Sequence, residues 1–432
     1  MKGKKLFLFL LDLALIFLLS GCTLRKKTPF LSKKPKVTKE ITLRYWGLWE
    51  PEGVIKPLIL AYQKEHPNIK IEYKLEVPGG YRERLQTRLR TEGVEKPDIF
   101  RFHLTWLPML KEELAPLPQT VIRNSEYEKM FYPVAQKHLK IGDQYYGIPL
   151  MYDGLALFYN EDLFQKKGVS QPPKTWDELR DLASRLTERD EEGRIKIAGV
   201  AMGTADNVEH FSDILGLMML QNGVDLGNMK GNLAEDALAF YTVFSKEDKV
   251  WDETLPPSTL AFASGRVAMI FAPSWRVFEI KKRSPGLRFK IAPVPQLPGG
   301  TVNWASFWVE GVAKSCRHPA EAWDFLKFLV QKENLRRFYT EAAKTRLFGE
   351  IYGRRDMAQS LINEEYVGPY VEGAETARSW YLCSRTFDNG INDRIISYLK
   401  DAVNAVNRGS TPQSALTTAS RGIGEVLSQF GL

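Results

Sequence analysis

The chain has 432 residues, 44% of them hydrophobic, with 60 Lys and Arg against 52 Asp and Glu and a formal net charge of +8. A charged fraction of 26% is ordinary for a globular chain and excludes wholesale disorder, and a single long apolar run excludes a multi-span membrane protein. The mild positive excess forms no dense basic stripe in the body, so nucleic acid is not an expected partner; three cysteines exclude a disulfide framework.

Lys2, Lys4 and Lys5 precede an apolar run over 6–19, interrupted only by Asp12. Its 14 residues fall short of the roughly 20 that a spanning helix needs, and the pattern is that of an export signal. The run ends Leu19-Ser20-Gly21-Cys22, which resembles the lipobox of bacterial lipoproteins. That resemblance implies removal of a signal peptide, 1–21, and lipidation of the Cys22 thiol, giving an extracytoplasmic protein anchored to the cell membrane. The segment 22–37 carries Arg25, Lys26, Lys27, Lys33, Lys34 and Lys36 among Pro29 and Pro35. It reads as a basic flexible tether, and each basic residue near an anionic lipid surface adds about 1 kcal/mol of attraction.

The body alternates strands and helices. Ile41, Leu43 and Tyr45 have strand spacing. Ile55, Leu58, Ile59 and Tyr62 have helical spacing, with Pro57 expected in a first turn, and Ile69, Ile71, Tyr73 and Leu75 alternate again. Strand, helix, strand within about 35 residues predicts a right-handed βαβ unit with parallel strands. Leu85 and Leu89 mark a further helix, and the run from Pro97 to Phe100 a further strand. Later, Thr175-Trp176-Asp177-Glu178 has the form of a capping box ahead of Leu179, Leu182 and Leu186. Residues 195–202 read as a strand. Ala322, Phe325, Leu326 and Leu329 form a helix stripe, and Thr411-Pro412 opens the last helix. This is an α/β layered fold.

Several segments in fixed order carry a more specific signal. Gly142-Asp143-Gln144-Tyr145-Tyr146-Gly147-Ile148-Pro149 leads to Ala156-Leu157-Phe158-Tyr159-Asn160, and then to Pro172-Pro173-Lys174-Thr175-Trp176. Phe262-Ala263-Ser264-Gly265-Arg266-Val267-Ala268-Met269 precedes Pro273-Ser274-Trp275, and Arg317-His318-Pro319-Ala320-Glu321-Ala322-Trp323 follows. Together they resemble family 1 extracellular solute-binding proteins of ABC transporters, the group that contains maltose-binding protein. The resemblance covers the chain beyond the tether. It implies a two-lobed periplasmic-binding-protein fold of type II form, each lobe a sheet flanked by helices, with the ligand cleft between them. The implied partition is 38–151 plus 272–312 for the N-terminal lobe and 152–271 plus 313–432 for the C-terminal lobe. Crossings are expected near Tyr152, Ala272 and Val312. The implied function is capture of a sugar, an oligosaccharide above all, by lobe closure and delivery to the transmembrane subunits of an ABC permease. No cofactor and no metal is expected, and the protein is expected to act as a monomer.

Sugars present flat apolar faces edged with hydroxyls, so a site for them needs aromatic platforms and planar polar groups. Trp46, Trp49 and Glu50 follow the first strand, at the carboxyl end where parallel sheets bind ligands. By resemblance, Phe102 and Thr105 match a ligand-contacting loop, Asp153 a carboxylate at the first crossing, and Trp275 a stacking tryptophan. Trp304, Phe307 and Trp308 stand where many relatives have glycines. His210 is a candidate from the second lobe and Arg385 a late one. Cys316 and Cys383 could pair, for about 4 kcal/mol in the chain-entropy model, or remain separate buried residues.

Two other readings share these features. An exported glycosidase would also use aromatics and carboxylates, yet Glu112-Glu113, Glu191-Glu192 and Glu364-Glu365 read as solvated faces. No serine-elbow, zinc-helix or phosphate-loop motif occurs, and His66, His103, His138, His210 and His318 lack ligand spacing. No enzymatic activity is therefore expected. A binder of a glycerol-phosphodiester-type ligand in the same fold remains the alternative.

Overall fold

The computed structural model describes residues 40–432. The signal run, the tether and Cys22 lie outside the described residues. Apolar alternation builds the first strand, β1 (Ile41–Gly47), with Leu43 and Tyr45 buried. Helix α1 (Glu52–Glu65) buries Val54, Ile55, Leu58, Ile59 and Tyr62 on one stripe. Strand β2 (Ile69–Leu75) then pairs parallel with β1, Ile41 against Ile69, as the βαβ reading requires. Pro57 lies inside α1 rather than in its first turn. The carbonyl it leaves without a donor is that of Gly53, at the exposed start of the helix, where water can replace the lost bond.

Helix α2 (Tyr81–Arg90) leads to β3 (Ile99–His103), which pairs parallel with β1. Strands β4 (Ala156–Asn160) and β5 (Glu188–Arg189) flank helix α3 (Trp176–Leu186) in sequence. The capping box forms as read: Thr175 Oγ1 accepts from Glu178 N at 3.2 Å, and Glu178 Oε2 accepts from Thr175 N at 3.3 Å. Strand β6 (Ile195–Val200), helices α4 (Phe211–Gln221) and α5 (Asn232–Lys246), β7 (Val267–Ala272), α6 (Arg276–Arg283) and β8 (Phe289–Ala292) follow. Strand β9 (Trp308–Val312), α7 (Pro319–Leu329), α8 (Lys332–Ala343), α9 (Ile391–Asn407) and α10 (Pro412–Gln429) complete the larger elements.

Two sheets carry the two lobes. The first has the order β9-β3-β1-β2, and the second β8-β4-β7-β6-β5. Both sheets are mixed: β9 runs antiparallel to β3, and β4 runs antiparallel to both β7 and β8.

The expected partition differs from this pairing in two places. The segment after Ala272 does not return to the first sheet. Strand β8 pairs with β4, Ile291 against Phe158, and the Phe289 ring stacks on that of Phe158 at 5.7 Å. Conversely, 313–343 does not belong with the second sheet, because α7 and α8 pack on α1 and β9. The Tyr62 hydroxyl donates to Asp324 Oδ2 at 2.9 Å, and the Tyr62 ring meets Phe325 and Phe328. In both places an apolar stripe is buried by the sheet it can reach, irrespective of where the chain first crosses. Cys316 and Cys383 are both buried and free. Cys383 contacts Ser379 Oγ and the Trp380 carbonyl, each at 3.3 Å.

A buried ion cluster binds the first sheet to the loop that follows β1. Arg101, on β3, is 1% exposed. Its Nε donates to Glu310 Oε1 on β9 at 2.7 Å, and its guanidinium also binds Glu50 and the Leu48 carbonyl, the latter at 2.8 Å. The Tyr45 hydroxyl on β1 donates to the same Glu310 oxygen at 2.7 Å. One guanidinium thus serves two buried carboxylates. Burial pushes Glu50 up to about 8, with Arg101 opposing and Glu350 and Glu310 reinforcing the rise. Arg101→Met leaves Glu310 without its counter-charge and Glu50 without its donor, and should cost about 3–5 kcal/mol in urea unfolding. A loss below about 1 kcal/mol would contradict the cluster's structural role.

Candidate functional site

Loops beyond the ends of both sheets enclose a cleft of about 500 Å³. The first sheet supplies Trp49 after β1, His103 at the end of β3 and Trp308 at the start of β9. Trp49 is 43% exposed and its backbone is left-handed, φ 74°, a conformation costly for a bulky residue and typical of functional loops. Its ring meets Trp308 edge-on at 5.7 Å; Trp308 in turn meets Trp106 at 5.1 Å and His103 at 5.3 Å. His103 Nδ1 lies 2.8 Å from Thr105 Oγ1, and Nε2 lies 3.2 Å from Ser306 Oγ. Burial pushes His103 down to about 3, so it is neutral.

The second sheet supplies Pro273, Ser274, Trp275 and Arg276 after β7. Trp275 is 40% exposed. The Arg276 guanidinium sits 4.3 Å from its ring centroid, and the His210 ring lies edge-on at 5.9 Å. Arg276 is buried in a polar network: Nη2 donates to Glu209 Oε1 at 2.8 Å, Nε to His210 Nε2 at 3.1 Å, and Nη1 to Glu279. Burial alone would raise Glu209, but the Arg276 charge, the hydrogen bonds from Thr259 and the nearby His210 together outweigh it and hold the carboxyl below its usual range. Arg385 donates to the same Glu209 oxygen at 2.8 Å. Arg346 pairs with Glu350 in the loop 344–350 and lies over the Phe278 ring at 4.9 Å. Each of the three arginines that line the cleft therefore has a carboxylate partner.

Asp153 joins the walls. Its Oδ1 accepts from Gly154 N at 2.8 Å and from Ser274 N at 3.1 Å; Oδ2 accepts from Ser274 Oγ at 2.9 Å. Its carbonyl accepts from Ser306 N at 3.0 Å. Burial raises its carboxyl to about 7, against the lowering effect of those three hydrogen bonds.

Of the residues expected from sequence, Trp49, Asp153, His210, Trp275, Phe307, Trp308 and Arg385 line this one cleft. The other five sit elsewhere. Trp46 alternates onto the far side of β1, where Lys74 Nζ covers its ring at 5.0 Å. Glu50 turns inward to Arg101. Phe102 is wholly buried against the Gly147 and Gly311 backbone. Thr105 Oγ1 is occupied by His103 and by Asn392 Nδ2, the latter at 2.8 Å. Trp304 is buried on Gly216, and its indole donates to Asp213 Oδ1 at 2.8 Å. In each case the side chain finds a partner that lies far away in sequence.

Other cleft residues were not named from sequence. His103 ends β3, at the same carboxyl-end position as its neighbours Phe102 and Thr105, and it faces the cleft where they do not. Ser274 lies inside the Pro273-Ser274-Trp275 motif, and Arg276 directly follows it. Arg346, Phe348, Glu350, Thr386 and Phe387 come from loops with no periodic signal.

Between about pH 4 and pH 7, folded Asp153 keeps a proton that the unfolded chain has lost. Its contribution to stability therefore falls as pH rises through that window. The melting temperature of the wild type minus that of Asp153→Asn should decline from about pH 4 to about pH 7 and level off above. A difference that stays flat across the window would contradict the raised pKa.

Comparison with known proteins agrees with this geometry. The profile of the family described as bacterial extracellular solute-binding protein matches residues 49–335. The maltotriose-binding protein of Pyrococcus abyssi is 22% identical over 291 residues, spanning 62% of this chain and 55% of that protein. The sn-glycerol-3-phosphate-binding periplasmic protein UgpB of Pectobacterium atrosepticum is 27% identical over 200 residues, 41% of this chain and 43% of that protein. In three dimensions the sugar-binding protein MalE of Xanthomonas citri matches with a TM-score of 0.74 at 22% identity, covering 90% of this chain and 98% of that one. With about two-thirds of its length matched by the profile, the chain belongs to the family of bacterial extracellular solute-binding proteins.

Proposed function

We propose that the protein is the extracytoplasmic solute-binding component of an ABC importer, and that its ligand is an uncharged oligosaccharide. The observation that carries this reading is the pair of half-exposed indoles, Trp49 and Trp275, borne by different sheets yet lining one cleft. An indole stacks on the apolar face of a pyranose ring, and two of them on separate lobes can close on a sugar from different sides. Asp153 and Ser306 offer acceptors and donors for hydroxyls, with His103 orienting Ser306. The lobes close on the sugar without chemistry, and the closed form is what the permease subunits accept. The monomer is held at the membrane by lipid on Cys22. The maltotriose-binding relative supports the carbohydrate reading.

The phosphate-bearing alternative draws on the UgpB relative. It is disfavoured because Arg276, Arg346 and Arg385 already pair with Glu209, Glu279 and Glu350, so an anion would have to displace a carboxylate.

Titration with maltose, maltotriose, mannobiose and mannotriose, followed by tryptophan fluorescence, tests the reading. The tightest ligand should shift or quench the emission as Trp275 is covered. Trp275→Ala should weaken that ligand by about tenfold or more, about 1.4 kcal/mol at least. Unchanged affinity in the variant, or preference for glycerol-3-phosphate over every sugar, would contradict it.

A further inference from the structure

The segment 384–390 runs along the cleft between the two lobes and is tied at both ends. At its start, Ser384 N donates to the Asp213 carboxylate at 3.2 Å and Ser384 Oγ lies 2.8 Å from His210 Nδ1. At its far end the Asp388 carbonyl accepts from Arg82 of α2. The Asp388 carboxylate collects the amides of Gly390, Asn392 and Asp393 at the start of α9, at 2.9, 3.0 and 3.1 Å. The near end is thus held by α4 of the second lobe, and the far end both by Arg82 of the first lobe and by α9, which packs on α4 and α5.

Between these anchors the backbone is left-handed at alternate positions: φ is 62° at Arg385, 54° at Phe387 and 43° at Asn389, none of them glycine. Such conformations persist only where surrounding bonds impose them, and they gather at functional sites. Here the anchors impose them, and the outcome is that Arg385, Thr386 and Phe387 all line the cleft. Phe387 is 39% exposed. Thr386 is the opposite: 2% exposed, with an Oγ1 that has no hydrogen-bond partner among the described residues. A buried hydroxyl left unpaired destabilises the fold, and one placed in a cleft lining is accounted for if a ligand completes it.

We propose that Thr386 is a ligand-contact residue, its hydroxyl bonding a hydroxyl of the bound sugar, and that the strap 384–390 exists to hold it there. The inference rests on the carbohydrate reading above and deepens it. A hydroxyl that both donates and accepts suits a neutral polyol, whereas a cationic side chain at this place would suit an anion. Because the strap is tied to both lobes, the contact also couples occupancy of the cleft to their relative position.

The test compares Thr386→Val, which keeps the shape and removes the hydroxyl, with Thr386→Ser, which keeps the hydroxyl. Each is titrated with whichever of maltose, maltotriose, mannobiose and mannotriose the wild type binds most tightly, and each is melted without ligand. The expected result is a loss of about tenfold in affinity for Thr386→Val, about 1.4 kcal/mol, with affinity kept within about threefold by Thr386→Ser. The ligand-free melting temperature of Thr386→Val should hold or rise, since an unpaired buried hydroxyl has gone. Equal affinity in Thr386→Val and wild type overturns the assignment of Thr386 while leaving the carbohydrate reading intact. So does a drop in the ligand-free melting temperature of Thr386→Val, which would mean the hydroxyl is used inside the protein. A wild type that binds none of the four sugars overturns both.

Discussion

The cleft depends on one partly buried carboxylate. Asp153 receives hydrogen bonds from Gly154 and Ser274, and its own carbonyl receives one from Ser306. Two chain segments that pass between the sheets, around 151–154 and 304–308, are thereby held to the loop that follows β7 at 272–274. The knot is tight enough that Gly154 has no room for a side chain: a Cβ there would lie 2.2 Å from the Trp304 carbonyl oxygen. Tyr370 adds a further tie, its hydroxyl donating to the Ala272 carbonyl at 2.8 Å. Trp275 stands one residue beyond Ser274 and Phe307 one beyond Ser306, so the aromatic lining inherits its position from this knot. A carboxyl that keeps a proton to about pH 7 has the further merit of burying little charge where the lobes meet.

The polar lining follows a consistent rule of pairing. Arg276 is shared between Glu209 and Glu279 beneath the Trp275 ring, Arg346 is set against Glu350, and Arg385 returns to Glu209. Charges paired in this way shape the wall and polarise the indole face without presenting a bare cation to the ligand. Behind the Trp49 loop, Arg101 plays the corresponding part for the first lobe, gripping Leu48 and Glu50 on either side of the indole. The left-handed backbone at Trp49 is held by those flanking bonds rather than by its own preference. Aromatic faces with neutralised surroundings describe a surface suited to hydroxylated, uncharged rings.

Local pattern carried much of the fold and little of the cleft's detail. Alternation in 41–45 and 69–75 around the 55–62 stripe specified a βαβ unit because each element buries its own apolar face. Thr175 and Glu178 specified a helix start because both halves of the cap lie within four residues. The partition of later segments was not legible in the same way. Which sheet takes the edge strand at 289–292, and which takes the helices at 319–343, depends on Phe158 and Tyr62, more than a hundred residues away in each case. The same limit governs the site. Glu50 and Trp49 are neighbours with equal claims as ligand groups in the sequence, and only Arg101 from β3 turns one inward and leaves the other in the cleft. Thr386 has no pattern at all in the sequence; its interest arises from anchors at Asp213 and Arg82 that the fold brings to the two ends of its loop.

The most direct measurement is a crystal structure of the protein with the tightest-binding oligosaccharide. The account predicts one pyranose ring stacked on the exposed face of Trp275, with Trp49 in contact with the same molecule and the glycosidic bonds intact. A ligand seated away from Trp275, or a sugar recovered hydrolysed, would contradict it.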